Sequence, residues 1–125
     1  MDKTVHIIGG GLAGSEAAWQ LASRGHQVKL YEMRGPHGTS VHKTDNLAEL
    51  VCSNSFRGTD VTKNAVAVLH DELRKMGSLV MQAADGNRVP AGGALGIDRE
   101  PFAQTITDEL EKHPNVEIVR QQVND

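Results

Sequence analysis

The run Gly9-Gly10-Gly11-Leu12-Ala13-Gly14 constrains this chain more than any other feature, because an apolar run precedes it and an amphipathic one follows. Val5, Ile7 and Ile8 read as a short buried parallel strand, and residues 12–24 read as a helix closed at Gly25. A G-x-G-x-x-G spacing alone is a weak signal. Between a strand and a helix each of its glycines acquires a physical task. Gly9 permits the tight turn, Gly11 leaves room for a pyrophosphate against the backbone, and Gly14 lets helix and strand pack closely. Gly10 completes the turn. The first helical turn, with Leu12 and Ala13, offers free N–H groups and the positive end of the helix dipole to phosphates.

Gly14, Ala18, Leu21, Ala22 and Gly25 recur at helical spacing and are mostly small, which suits a helix lying close on a sheet. Residues 28–32 read as the second strand, giving a βαβ unit with a right-handed crossover expected. Glu32 ends that strand, where a carboxylate can accept hydrogen bonds from the adenosine ribose and would repel a 2′-phosphate. NADP is therefore disfavoured at this turn. The expected fold class is α/β, a Rossmann-type FAD/NAD-binding domain around a parallel sheet. The glycine pattern does not separate FAD from NAD.

Beyond residue 32 the signals are shorter. Gly35, Pro36 and Gly38 mark a loop that also holds His37 and His42, with surface histidines the safer reading. Two histidines without a third ligand make a poor metal site. Residues 52–58 (CSNSFRG) read as a polar turn, and residues 62–76 as an amphipathic helix with Val66, Leu69, Leu73 and Met76 on its core face. Residues 79–81 and 88–90 read as strands of a small hairpin around Asp85-Gly86-Asn87. Asp98 is the expected N-cap of a helix carrying Phe102, Ala103, Ile106 and Leu110, which Pro114 stops. Residues 116–119 read as a further strand. Trp19 is expected to pack between helix and neighbours, and Met76 and Met81 in the core. The chain stops just after that strand, so the sheet is expected to be incomplete and residues 1–125 to be the N-terminal part of a longer FAD-binding domain.

Bulk properties narrow the reading, and RNA binding cannot be argued from charge. A net charge of -3 and a pI near 6.0 give no electrostatic footprint for nucleic acid. A single cysteine excludes an internal disulfide and fits a reducing compartment. No stretch approaches the ~20 apolar residues of a membrane span, and no targeting segment is visible, so a cytoplasmic protein without membrane association is expected. Oligomeric state is not legible.

Cys52 stands among hydroxyls, an amide and a guanidinium in Ala48-Glu49-Leu50-Val51-Cys52-Ser53-Asn54-Ser55-Phe56-Arg57. Such a setting suits nucleophilic chemistry. Taken alone, though, a lone cysteine after Leu-Val is more often a buried small hydrophobe.

Four segments taken together, GGGLAGSEAAWQLASRG, LYEMR, HKTDNLAELVCSNSFRG and VPAGGALGIDRE, resemble the folate- and FAD-dependent tRNA uracil-5-methyltransferases, the TrmFO or Gid family. LAELVCSNS and VPAGGALGIDR are far more specific than the glycine turn. The resemblance implies methylation of C5 of a T-loop uridine in tRNA. Methylenetetrahydrofolate supplies the one-carbon unit, and reduced FAD, replenished from NAD(P)H, supplies the reducing equivalents. It makes Cys52 a catalytic cysteine, acting on the base or on its proton, and counts Arg34 with the cofactor-binding residues Gly9 to Gly14 and Glu32. Arg99 is placed to touch cofactor or RNA phosphate, or is merely exposed beside Asp98. The sequence departs from the family pattern at Thr39-Ser40-Val41-His42, at Phe56 and at Gly96, none of which removes a charged or nucleophilic group. Two other readings stand beside this one: another FAD-dependent tRNA uridine-modifying protein of the glucose-inhibited division type, where a Cys-Asn-Pro pattern is expected, and a nucleotide-binding module without catalysis.

Overall fold

A computed structural model describes residues 3–124. The elements run β1 (Val5–Ile8), α1 (Leu12–Ser23), β2 (Val28–Glu32), β3 (Ser55–Gly58), α2 (Ala65–Lys75), α3 (Leu79–Gly86), β4 (Arg88–Val89), β5 (Ala94–Ile97), α4 (Arg99–Lys112) and β6 (Val116–Arg120). Two three-stranded sheets result. The first is parallel in the order β1-β2-β6, with Val5 opposite Val28 and Leu30 opposite Ile118. The second is antiparallel in the order β3-β5-β4.

The parallel sheet and its crossover helix follow from the sequence as read. Central β2 buries Val28 and Leu30 on one face, as a strand paired on both edges requires. Ala18 and Ala22 of α1 are fully buried, so the small-residue face of the helix does lie on the sheet. Gly25, at φ +90°, ends that helix. Phe102, Ala103, Ile106 and Leu110 of α4 join Leu30, Leu47, Leu79, Met81, Leu95 and Ile97 in one core. Asp98 takes the N-cap position of α4 without a side-chain cap bond. Trp19 donates its indole N–H to the Gly77 carbonyl at 3.0 Å and meets His113 edge-on.

Three local expectations are corrected. Residues 79–81 are helical, and the partner of Arg88–Val89 is β5. The apolar run Leu-Val-Met has strand-like composition, but Ser78 caps it by accepting the Met81 N–H at 3.1 Å. Glu16 of α1 adds a cap from across the core. Its carboxylate accepts from Leu79 N at 3.2 Å, from Val80 N at 3.1 Å and from the Ser78 hydroxyl. A negative group at a helix N-terminus also complements the dipole.

The second correction is the face of α2. Ala67 and His70 are its buried residues, whereas Leu69 and Met76 are more than half exposed. Val66, Leu69, His70 and Leu73 instead line a groove of about 250 Å³ beside Leu12 and Phe56. The third is the polar turn 52–58, whose second half is β3. Phe56 anchors that strand edge-on against Phe102, with ring centroids 5.7 Å apart.

Candidate functional site

Beyond β1 the chain turns at Gly9, whose φ of +102° strains any L side chain. A Cβ at Gly14 would lie 1.8 Å from the Gly9 carbonyl oxygen, so helix and turn meet through bare backbone. A Cβ at Gly10 would lie 2.5 Å from Leu47 Cδ2. Around Gly11 the space is open, with nothing within 4 Å of where a Cβ would stand. Gly11 also caps α1 without any side-chain bond. The first-turn N–H groups, among them those of Leu12 and Ala13, thus have no intrahelical acceptor. Backbone packing demands glycine at position 14 and a Cβ at position 10 would displace the Leu47 methyl, whereas at position 11 only an approaching ligand would be met.

Glu32 and Arg34 meet below this turn. Glu32 Oε1 accepts the Gly10 N–H at 3.4 Å, and Oε2 accepts Arg34 Nε at 2.8 Å. Burial pushes the Glu32 carboxyl up, but the Arg34 hydrogen bond and charge, with the Gly10 N–H, outweigh it and hold it below the usual carboxylate value. Arg34 is 3% exposed and lies behind Glu32. Its Nη1 continues to Glu49 Oε2 at 3.0 Å and to the Thr44 carbonyl at 3.3 Å. Burial likewise raises Glu49, and the N–H groups of Lys43 and Thr44, the Thr44 hydroxyl and Arg34 more than offset it.

Ile8, Gly9, Tyr31, Glu32, Met33 and Gln121 surround a cavity of about 310 Å³ past the carboxyl ends of β1 and β2. Ligands of open α/β sheets bind outside the carboxyl ends of the strands. The open space at Gly11, the uncapped helix turn and this cavity leave room for a dinucleotide, whose phosphates would lie on the turn and whose adenosine would lie beside Glu32.

The cysteine segment is built onto the same turn. Ala48 donates its N–H to the Gly10 carbonyl at 2.8 Å, in a backbone conformation of φ +54°. Leu47 is fully buried against Gly10 and donates its N–H to Thr107 Oγ1 at 2.8 Å. Asn54 exchanges bonds with Ile97 of β5, at 2.8 Å through its carbonyl and 3.0 Å through its side chain. Cys52 sits between these anchors, free and exposed. The reading of this thiol as a buried hydrophobe is overturned. The next element after it is β3.

The remaining sequence candidates separate. His37 is exposed, and His42 shares a 2.6 Å contact with Thr39 Oγ1. Arg99 is exposed at the start of α4, where it lines a cavity together with Lys43 and Glu49. Among the described residues there is no cluster of metal-ligating groups, and no helix is long and apolar enough to cross a membrane. Sequence reasoning missed Glu49 as a hub and His70 as a buried histidine. Glu49 sits inside the recognisable motif, but no periodicity marks it. His70 lies in a helix whose apolar period gives no sign that a histidine is among its buried residues.

Over residues 4–125 the sequence matches the family described as Glucose inhibited division protein A. It is 63% identical over 122 residues to a protein of Zymomonas mobilis named methylenetetrahydrofolate--tRNA-(uracil-5-)-methyltransferase TrmFO. That alignment covers 98% of this chain and 27% of the relative. Proteins of the same name from Methylobacterium radiotolerans and Agrobacterium fabrum are each 60% identical over 98% of this chain and 26% of their own length. The chain thus spans about a quarter of the length of these curated relatives. Among solved structures, a peptidyl tryptophan dihydroxylase, QhpG, superposes on all of this chain and 27% of its own, at a TM-score of 0.53 and 18% identity. At that identity the likeness concerns the fold alone.

Proposed function

The chain belongs to the glucose-inhibited division protein A family, and from that premise we propose that it supplies the FAD-binding turn and the reactive cysteine of a methylenetetrahydrofolate-dependent tRNA (uracil-5-)-methyltransferase. The single observation that carries the reading is the joining of the two signatures. The loop bearing Cys52 hangs from the phosphate turn through the Ala48–Gly10 hydrogen bond. A thiol and a bound flavin would therefore share one site. About 60% identity to proteins named for this reaction supports the choice of chemistry.

Gly11 and the first turn of α1 would hold the pyrophosphate, and Glu32 the adenosine ribose. Arg34 orients Glu32 from behind, through the 2.8 Å contact, without meeting the ligand. Bound flavin supplies reducing equivalents for turning a folate-borne one-carbon unit into a methyl group, with NAD(P)H as their source. C5 of uracil is a poor nucleophile until the ring is activated, and a thiolate at the site would either add covalently at C6, to be expelled again as the C5 proton leaves, or act as the base that removes that proton. The exposure of Cys52 leaves it accessible to an RNA base. Acting on tRNA, the enzyme would work in the cytoplasm.

Cys52→Ala in the full-length enzyme is expected to lose methyl transfer to a T-loop RNA while retaining flavin absorbance. Because the thiol is exposed, its loss should change stability by no more than about 0.5 kcal/mol. Near-normal transfer by this variant would remove Cys52 from the chemistry. The family also admits the other FAD-dependent uridine-modifying reading. Absence of folate-dependent methyl transfer by the flavin-loaded wild-type enzyme would favour that one.

A further inference from the structure

The loop between β2 and β3 closes a second cavity, of about 300 Å³, against the first turn of α4. It shares a wall with the cavity beside the glycine turn. Glu49 lines the one, Glu32 lines the other, and Arg34 bonds both carboxylates from between them. Glu49 presents a carboxylate already engaged by Arg34, by the Lys43 and Thr44 N–H groups and by the Thr44 hydroxyl. The other polar side chains around the cavity differ. Those of Lys43, Asn46 and Arg99 have no polar partner among the described residues, and Glu100 is the one unpaired carboxylate beside them. Leu50, Val51 and Ala103 supply an apolar floor, and Val51 is the residue before Cys52.

This combination specifies a chemistry. An apolar slot with a free amide accepts a flat, uncharged heterocycle that has a donor beside an acceptor, and the N3–H/O4 edge of uracil is the complement of an asparagine amide. Two unpaired cations at the rim suit the phosphates on either side of such a base. The volume lies at the lower end of the about 300–1,000 Å³ of small-molecule sites, enough for one nucleotide and too little for a whole pterin with its tail. Enzymes that act on a base commonly draw it out of its stack into a pocket of this kind.

We propose that this cavity receives the target uridine of the RNA, with the Asn46 amide on its N3–H/O4 edge and Lys43 and Arg99 on the flanking phosphates. The proposal rests on the methyltransferase reading and places the base across the Glu32–Arg34–Glu49 wall from the adenosine half of the cofactor, with Cys52 at the margin.

The test uses the full-length, flavin-loaded enzyme and a T-loop stem-loop RNA. Asn46→Asp keeps the acceptor but loses the donor to O4, and kcat/KM for the RNA should fall by about tenfold or more. Lys43→Ala and Arg99→Ala change exposed side chains and should raise the RNA KM. Each should also lower the slope of log K against log salt by about one in direct RNA-binding titrations. Flavin content should stay at the wild-type level throughout, a pattern that loss of folding would not give. Unchanged KM, binding and salt slope in these variants would overturn the proposal and leave the methyltransferase reading standing. A raised KM for methylenetetrahydrofolate with an unchanged one for RNA would overturn it in favour of a folate site. Weakened RNA binding in the variants of an enzyme that transfers no methyl group would support the cavity while removing the reaction.

Discussion

Glycines in the turn are alike in sequence and unlike in what they meet. Gly14 faces the Gly9 carbonyl, where an added Cβ would stand at 1.8 Å, and Gly11 faces nothing. Gly14→Ala is therefore expected to destabilise the fold by about 1–3 kcal/mol through overpacking and to release flavin as a consequence. Gly11→Val is expected to keep nearly the wild-type denaturation midpoint and still lose flavin, because the valine would enter only open space, which in the proposed function the cofactor phosphates take. Paired denaturant titration and flavin absorbance check both. Equal stability losses in the two variants would mean that the open space at Gly11 is structural. The same contrast separates Glu32 from Arg34. Both stand in the motif LYEMR, yet Glu32 keeps an edge on a cavity, and Arg34 acts through it.

At the scale of elements, α3 shows how a tertiary contact decides a local conformation. Its eight residues are too few for stable helix formation on their own. Ser78 and Glu16 satisfy its first N–H groups, and Glu16 arrives from another helix. Glu16→Ala is expected to cost about 1–2 kcal/mol, the magnitude of a lost cap. Amide hydrogen exchange should speed up in α3 before it does in α1. Uniform acceleration across both helices would show instead that α3 has no separate dependence on its cap. The expectation of a hairpin at 79–81 failed for this reason: the deciding carboxylate lies far away in sequence. By contrast, β1, α1 and β2 were legible because turn, cap and apolar pattern all sit within the βαβ unit itself.

For the whole molecule, buried ionisable groups tie stability to pH. Burial, Arg74 and Arg57 lower the pKa of His70 against the opposing pull of Asp85. Burial raises Glu32 and Glu49, but Arg34 outweighs it at Glu32, and the Lys43 and Thr44 N–H groups with the Thr44 hydroxyl and Arg34 outweigh it at Glu49. A depressed folded pKa means that the unfolded chain takes up protons first, so stability is lost as pH falls. The His70 contribution should begin to fade below about pH 6.5, and that of the two glutamates below about pH 4.3, the ordinary values of these groups. Denaturant midpoints measured across that range should fall in two stages. His70→Gln should flatten the upper one and Glu49→Gln should reduce the lower. A midpoint independent of pH between 7 and 4 would contradict the assigned burial of His70.

By itself the sequence determined the glycine turn, the parallel strands around it and the buried face of α4. Each of these is written in residues a few positions apart, as a glycine spacing, an apolar period or a compact motif. Only the tertiary structure decided that Cys52 is exposed, that α3 is a helix and that α2 turns Leu69 outward. It alone joined Gly10 to Ala48, and Glu32 through Arg34 to Glu49. Burial, long-range caps and ion pairs depend on which groups the folded chain brings together, and spacing along the chain carries no record of that distance.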